Sequence, residues 1–262
     1  VDVLRGKPGT EVTITIQRGK EVEKDIPLVR EIIKTKSVQD LFGRGDFDLL
    51  ESEIGYVRLR GFSEKTSSEL ESALSHMEKA GMKALVLDLR NNPGGLLTQS
   101  ARVTEMFIKK GELIVSTEGR NARIQEKLFA ESDKHRKLPM VILVNGGSAS
   151  ASEIVGGCLQ DLKRADLVGT KTYGKGSVQS ILPQRDGSAI RLTTAKYFTP
   201  SHRIIHENGI EPDIIIERKL PKELEGDDEK EKEAGEEISE QWENLRAKPN
   251  LSEEDKKYLE RK

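Results

Sequence analysis

The chain has 262 residues, of which 35% are hydrophobic and 34% are charged, and its 43 basic residues nearly balance 45 acidic ones. A net charge of −2 gives no overall field that attracts nucleic acid or an anionic membrane, so neither partner is expected. One cysteine excludes an intramolecular disulfide and a cysteine-based zinc cluster, and the four histidines are scattered. No apolar run approaches the roughly 18 residues that a membrane span needs.

The first 53 residues divide into two pieces. Residues 1–30 alternate polar and apolar positions between glycine turns and predict a few short strands, which are too few to enclose a core alone. Residues 31–53 follow no regular pattern, and residues 43–48 predict a surface loop. We therefore expect part of a domain followed by an irregular linker.

The middle of the chain repeats one theme three times. Each repeat is a buried-type strand, a turn rich in glycine, asparagine or serine, and a helix, which together predict a layered α/β domain. Loops at the strand ends then present backbone amides at helix N-termini, where functional chemistry is expected. The predicted strands cover 54–62, 83–90 and 140–145, and the predicted helices cover 63–80, 96–110 and 149–162.

The end of the chain changes character twice. Residues 165–218 predict further strands, including a hairpin. Residues 221–262 contain 9 basic and 15 acidic residues and few apolar ones, which predicts an exposed charged extension. Ile238, Trp242 and Leu245 lie at i, i+4 and i+7, so a single docked helix is the alternative for this segment.

One motif partly matches a phosphate-binding loop but lacks the residue that holds magnesium there. Residues 169–175 fit the pattern G-x-x-x-x-G-K, but Gly176 stands where a Ser or Thr must hold magnesium. The residues that follow predict a strand that ends at Pro183, whereas a phosphate-binding loop opens a helix. Nucleotide binding is therefore not expected.

A serine cluster offers a nucleophile at the third strand–helix turn. In residues 147–153 (GSASASE), Ser150 stands where first-turn amides are left unpaired and available to an oxyanion. The alternative is helix capping, since Ser150 and Glu153 have the spacing of a capping box. The cluster alone does not decide between them.

The base for such a serine is better supplied by lysine than by histidine. The G-x-S-x-G elbow and any S-x-x-K motif are absent. Lys175 lies between two glycines at the start of a predicted strand, and alternation places Lys175 and Gln179 on one face, where the Gln179 carbonyl can hold the amine. A lysine acts as a base near neutral pH only where its surroundings disfavour the ammonium form, so a solvated surface lysine remains the alternative.

The turn at residues 88–95 (DLRNNPGG) can supply a second amide to an oxyanion, because its two glycines let the backbone approach a ligand. An ordinary tight turn is the alternative. Taken together, these segments resemble the C-terminal processing peptidases, also called tail-specific proteases, which are serine proteases with a Ser/Lys dyad. The matching motifs are LDLRNNPGGLL (87–97), VNGGSASASEIVGGCLQD (144–161), GTKTYGKGSVQ (169–179), AKYFTPS (195–201) and GIEPDI (209–214).

The resemblance implies a role for each matched residue. Ser150 is the nucleophile, Lys175, 25 residues later, is the general base and then acid, and Gln179, four residues further on, positions the lysine. The implied oxyanion donors are the amides of Ala151 and of Gly94 or Gly95. The implied fold is an α/β, crotonase/ClpP-like layered protease core at residues 54–220, preceded by the C-terminal part of a PDZ domain at residues 1–30.

The implied function is a serine endopeptidase that cleaves protein substrates near their C-termini. No cofactor or metal is implied, the partners are protein or peptide substrates held through their C-terminal tails, and a homo-oligomer is left open. These proteases generally act in the periplasm or otherwise outside the cytoplasm. The alternative is a catalytically silent protease-like scaffold or a PDZ-dependent peptide-binding module. Residues 202–206 (HRIIH) depart from the family pattern, which puts local substrate contacts in doubt.

Overall fold

The structure is a computed structural model that describes residues 3–18, 21–22, 25–31, 36–120 and 124–217. The predicted charged extension at residues 221–262 lies outside the described residues. The chain divides into two compact units, Val1–Lys36 and Ser37–Lys262. Within the described residues, none of the helices combines the length and apolarity needed to cross a membrane.

The first unit contains the short strands that the sequence predicts. Strand β1 (Glu11–Ile14) pairs antiparallel with β4 (Ile26–Val29), and β2 (Gln17–Arg18) pairs antiparallel with β3 (Glu21–Val22). The Arg30 guanidinium donates hydrogen bonds to three backbone carbonyls of this unit. These contacts join the start of the unit to its last strand.

The second unit is built on a mixed sheet of six strands in the order β14-β11-β10-β7-β6-β5. All neighbouring pairs in it are parallel except β5 with β6. A second, antiparallel sheet has the order β12-β13-β8-β9. The strands are β5 (Val38–Gln39), β6 (Ile54–Leu59), β7 (Ala84–Asp88), β8 (Leu113–Glu118), β9 (Ile124–Phe129), β10 (Met140–Val144), β11 (Asp166–Gly169), β12 (Ser177–Pro183), β13 (Ala189–Phe198) and β14 (Ile214–Ile215).

Three helices complete the layers: α1 (Thr66–Lys79), α2 (Leu97–Glu105) and α3 (Ala151–Asp161). Helix α1 is amphipathic and buries one face, as its spacing predicts, whereas α3 is buried through its first nine residues and contacts strands of both sheets. Cys158 on α3 is buried, and this burial raises the pKa of its thiol far above the usual range. The predicted mixed α/β core is confirmed.

Two predicted segments differ in detail from the structure. The described part of residues 31–53 contains β5, whose Val38 is buried in the core, and the Glu69 carboxylate accepts the amides of Ser37, just before β5, and of Val38. The predicted helix at residues 96–110 ends as α2 at Glu105. There the Met106 carbonyl accepts the amide of Arg136 from a distant loop, which ends the helix by tertiary contact.

Candidate active site

Ser150 occupies a strained backbone conformation at the sharp turn from β10 into α3. Its φ is 56° and its ψ is −113°, a combination that residues other than glycine rarely adopt. Such a conformation costs about 1–3 kcal/mol and persists only where the surrounding structure imposes it. Here the turn is fixed from both sides, because the Ser148 hydroxyl donates to the Leu89 carbonyl at 2.7 Å and accepts the Asn145 amide at 3.0 Å.

The turn after β7 lies directly against Ser150. Asn92 is buried and joins the two turns, since its carbonyl accepts the Ala149 amide at 3.0 Å and the Ser152 hydroxyl at 3.0 Å. Gly94 has φ +98°, and a Cβ atom there would lie 2.7 Å from the Ser150 Cβ. Glycine is therefore required for the close approach of the two turns.

The structure narrows the predicted set of oxyanion donors. The prediction is an amide of Gly94 or Gly95, and the Gly94 amide donates to the Asn92 side-chain carbonyl at 2.9 Å, which leaves Gly95 as the glycine of this turn without a protein partner in the described part of the chain. Among the described residues, the amides of Gly95 and Ala151 have no hydrogen-bond partner. These two amides, one on each turn, remain as the candidate donors.

Glu153 connects the turn that carries Ser150 to the loop that carries Lys175, called the lysine loop below. Its buried carboxylate accepts the backbone amides of Ser150 at 2.8 Å and of Lys175 at 2.9 Å, both on Oε2. The other oxygen, Oε1, accepts the Gly174 amide and the Thr172 hydroxyl, each at 2.6 Å. Sequence reasoning assigned Glu153 only a capping contact, and its spacing from Ser150 is the one signal that could have pointed further.

Lys175 is brought beside Ser150 through its backbone, while its side chain is exposed. The amine makes no hydrogen bond or ion pair with the residues that the structure describes, so the predicted Ser150–Lys175 contact stays a prediction. The predicted hold of Gln179 on this amine is not formed, since the Gln179 carbonyl accepts the Arg191 guanidinium. Lys175 lies in the loop before β12, so strand alternation does not extend to its side chain, and the register shift opposite Val178 and Gln179 comes from one extra residue of β13.

A second buried carboxylate, Asp88, supports the turn after β7. It accepts the Tyr56 hydroxyl at 2.5 Å and is held by Arg90 through two side-chain bonds and one backbone bond. Burial acts to raise the pKa of Asp88, but the hydrogen bonds and charge of Arg90 outweigh it, so the pKa is lowered. Burial, reinforced by the charge of Asp88, raises the pKa of Tyr56, so the tyrosine remains a neutral donor.

Asp88 makes stability depend on pH with a definite sign. Because its pKa is lower in the folded chain than in the unfolded one, its contribution is complete above about pH 4 and is lost as pH falls through the folded value. We expect Asp88→Asn to lower the free energy of unfolding by about 2–3 kcal/mol at pH 7, and by progressively less below pH 4. Urea unfolding at several pH values measures this difference. Asp133→Asn, at an exposed surface pair, is the control, and a difference for Asp88→Asn that is constant with pH contradicts the assignment.

The segment that departs from the family pattern packs against the lysine loop. The Glu207 amide donates to the Gly174 carbonyl at 2.8 Å, and a Cβ on Gly176 would lie 2.4 Å from the His206 amide nitrogen. His202 has φ +65°, stacks on Phe198, and places Nε2 2.6 Å from the buried Glu118 carboxylate. This segment thus packs closely against the lysine loop.

Among the described residues, no group of three or more His, Cys, Asp or Glu side chains is arranged to hold a metal ion. What the geometry offers is a strained serine, two amides without a protein partner on adjacent turns, and a lysine joined to the serine turn by one carboxylate. A serine hydroxyl attacking a carbonyl requires a nucleophile, an oxyanion site and a base side by side. The arrangement therefore fits acyl-transfer chemistry.

Comparison with known proteins places this chain in a family. The model of the family described as Peptidase family S41 matches residues 53–216. A carboxy-terminal-processing protease from Bartonella bacilliformis is 47% identical over 234 residues, which are 87% of this chain and 52% of that protein. A CtpA-like serine protease from Staphylococcus aureus is 41% identical over 215 residues, which are 82% of this chain and 42% of that protein.

The solved structure of a photosystem II D1 C-terminal processing protease matches the fold with a TM-score of 0.62 at 30% identity, covering 84% of this chain and 59% of that chain. This chain spans about half the length of the curated relatives it matches. The resemblance inferred from the motifs is confirmed. Because the family model matches more than half of its residues, the chain belongs to peptidase family S41.

Proposed function

We propose that the protein is a serine endopeptidase that cleaves protein substrates near their C-termini through an acyl-enzyme. Ser150 attacks the substrate carbonyl, and the amides of Gly95 and Ala151 hold the resulting oxyanion. Lys175, in its neutral form, takes the serine proton and later returns it to the leaving amine. Water then releases the acyl group by the same route.

The backbone conformation of Ser150 is the observation that carries this proposal. Ser150 is also the N-cap residue of α3, and its amide donates to Glu153 as in a capping box, but a helix cap does not require a positive φ, so capping alone does not account for the strain. Strain of this kind occurs where a side chain must be presented to a ligand. Two amides without a protein partner lie on the turns beside it, as an oxyanion site requires.

The dyad requires a movement of the lysine side chain. Its backbone is fixed beside Ser150 by Glu153, and its four-carbon stem is exposed and flexible. Rotation of this stem toward the serine hydroxyl completes the base in our proposal. Gln179, whose carbonyl binds Arg191, is released for a role beside the lysine only if that contact opens.

The test is peptide cleavage by the full chain and by its variants. We expect Ser150→Ala and Lys175→Ala each to lower kcat/KM by at least about 10³-fold, because each removes a group that acts in the bond-making step. A fluorophosphonate should modify Ser150 alone, as read by mass spectrometry. Lys171→Ala removes a lysine of the same loop that pairs with Glu211 on the surface, and it should cleave normally. A Ser150 or Lys175 variant that cleaves at the wild-type rate contradicts the assignment.

The rest of the proposal concerns the first unit and the cellular location. We propose that residues 1–30 are the C-terminal part of a PDZ domain, supported by their two antiparallel strand pairs and by the sequence likeness. A PDZ domain binds a C-terminal tail as an added strand. By the same likeness we place the protein in the periplasm or otherwise outside the cytoplasm. A silent scaffold is the alternative, which the strain at Ser150 disfavours.

A further inference from the structure

Strand β12 has one open edge. It is the terminal strand of the four-stranded sheet, and β13 pairs with one side of it. Over the described residues, no strand pairs with its other side. An open edge presents a row of backbone amides and carbonyls that another extended chain can pair with.

The hydrogen bonds of the hairpin tell which residues face this edge. The Gln184 amide donates to the Ser188 carbonyl at 2.8 Å and closes the β12–β13 turn. Antiparallel strands alternate between residues bonded to the partner and residues whose backbone points away. Counting back from Gln184, Leu182 and Ser180 face β13.

The outward positions are therefore Pro183, Ile181 and Gln179. Pro183 agrees with this count, because a residue without an N–H is tolerated in a strand only where no ladder bond is needed. Because β12 pairs with β13 alone among the described residues, the outward amides and carbonyls of Ile181 and Gln179 have no neighbouring strand. They provide four backbone groups for an incoming strand.

The side chains around this edge are apolar and exposed. Ile181 is 70% exposed, Leu182 44%, Ile190 52% and Leu192 50%. Leu182 lies opposite Ile190 in the pairing, so both are on one face of the ribbon. An apolar, unpaired edge is a site of aggregation unless a partner covers it.

The open edge begins at the candidate active site. Lys175 lies two residues before β12, and its amide is bonded to the carboxylate that also holds Ser150. Tyr173, exposed just upstream, donates its amide to the Ser148 carbonyl in the serine turn at 3.0 Å. A strand added to β12 is thus continuous with the serine turn.

The charge of the segment favours an anionic partner. Apart from Lys175, which is neutral in the proposed mechanism, residues 173–198 contain three basic side chains and one acidic side chain, Asp186. Asp186 is itself hydrogen-bonded to Ser188 in the turn. A chain that ends in a free carboxylate is complementary to this surface.

We propose that the outer edge of β12 binds the extended, apolar C-terminal segment of a protein substrate as an added strand. This inference rests on the proposed peptidase function. It adds a binding site for the substrate tail, called the binding track below, within the second unit. Main-chain bonds to Gln179 and Ile181 give affinity for many sequences, and the neighbouring apolar side chains favour apolar tails. The basic residues favour a tail with a free carboxylate.

The test measures binding apart from cleavage. In the full chain carrying Ser150→Ala, binding of a fluorescein-labelled apolar heptapeptide with a free carboxylate is followed by anisotropy. Ile181→Pro removes one outward amide and leaves the bonds to β13 in place, and we expect it to weaken binding at least about tenfold. Ile181→Ala keeps the amide and is the matched control, with an expected loss of less than about threefold. Equal binding by the proline variant and its parent, with circular dichroism unchanged, overturns the proposal.

A second measurement varies the peptide and leaves the protein unaltered. It tests the proposal even if the Ile181→Pro variant does not fold. Heptapeptides methylated at one backbone nitrogen at a time should bind weakly at alternate positions only, because every second amide of an added strand points to its neighbour. An equal effect at all positions, or at none, contradicts strand addition. A parent chain that forms dimers through this edge, dispersed by Ile181→Pro, and binds no peptide would assign the edge to a second copy and overturn the proposal.

These results separate the two proposals. Failure of the peptidase function is seen as absence of fluorophosphonate labelling and cleavage by the wild-type chain. Failure of the strand inference is seen as peptide binding that ignores Ile181→Pro and N-methylation in a chain that does label and cleave. Binding with the expected pattern in a chain that does not label supports the track and rejects the chemistry.

Discussion

Glu153→Gln is expected to lower the free energy of unfolding by about 3 kcal/mol and to lower kcat/KM by at least about 10²-fold. The buried carboxylate accepts four hydrogen bonds, from three backbone amides and one hydroxyl. The glutamine amide has one oxygen, and its NH₂ group would face two donors, so two bonds are lost at once. Because Oε2 holds both Ser150 and Lys175, an NH₂ group in its place faces both of their amides, and their relative position is then lost.

Urea unfolding and peptide cleavage measure these two effects. Glu211→Gln removes the carboxylate of an exposed pair with Lys171 and is the matched control, expected to change stability by less than about 0.5 kcal/mol. The positioning role requires that kcat fall more than KM rises. A Glu153→Gln chain as stable and as active as the control contradicts it.

Ser150→Gly is expected to have the opposite sign on stability. Glycine adopts φ 56° and ψ −113° without the clash of a Cβ atom, so the strain of about 1–3 kcal/mol is relieved. The greater freedom of glycine in the unfolded chain offsets about 1 kcal/mol of this. We therefore expect a net gain of up to about 2 kcal/mol, together with complete loss of cleavage.

The comparison that isolates strain is Ser150→Ala. Alanine keeps the Cβ atom and the strain, so its stability should lie within about 0.5 kcal/mol of the wild type while cleavage is equally lost. Ser152→Gly, inside the same helix, should be destabilising because it removes the bond to the Asn92 carbonyl and adds a helical glycine. Equal stability of the Ser150 glycine and alanine variants would show that the turn stores no strain.

Much of the fold could be predicted because its central strands are buried on one face and at least half-buried on the other, and their sequences are apolar runs between glycine turns. The strand–turn–helix units around β6, β7 and β10 follow directly from that pattern. The two-residue strand β5 has no periodicity to detect, and its place depends on Glu69, about 30 residues away in the chain.

The site was predictable where its chemistry is local. Ser150 and Lys175 stand in glycine turns that the sequence displays. The partners of Glu153 are different, since three of its four donors lie 19 to 22 residues further along the chain, beyond the reach of capping rules. Of the two glycines predicted as donors, Gly94 is already bonded for a local reason, because its amide donates to the Asn92 side chain two residues earlier.

Gln179 shows how a strand boundary redirects a prediction. Strict alternation places Gln179 on the same face as Lys175, but Lys175 lies in the loop before β12, so alternation does not extend to its side chain. The Gln179 side chain instead meets Arg191 of the neighbouring strand. No sequence signal marks the register shift between Val178 and Gln179, which depends on how β13 is paired.

The strain at Ser150 also bears on how the sequence of such a protein changes once its activity is lost. A chain that had lost its chemistry would gain stability by a single exchange of this serine for glycine, at a position where the fold already accepts glycine geometry. A silent scaffold therefore has an immediate escape from the strained state, and neutral change would tend to take it. No comparable stabilising exchange is expected at Glu153, because its carboxylate accepts four hydrogen bonds and a substitution there lowers the free energy of unfolding. Serine on a glycine-shaped backbone is thus a stronger mark of retained chemistry than the intact shape of the surrounding loops.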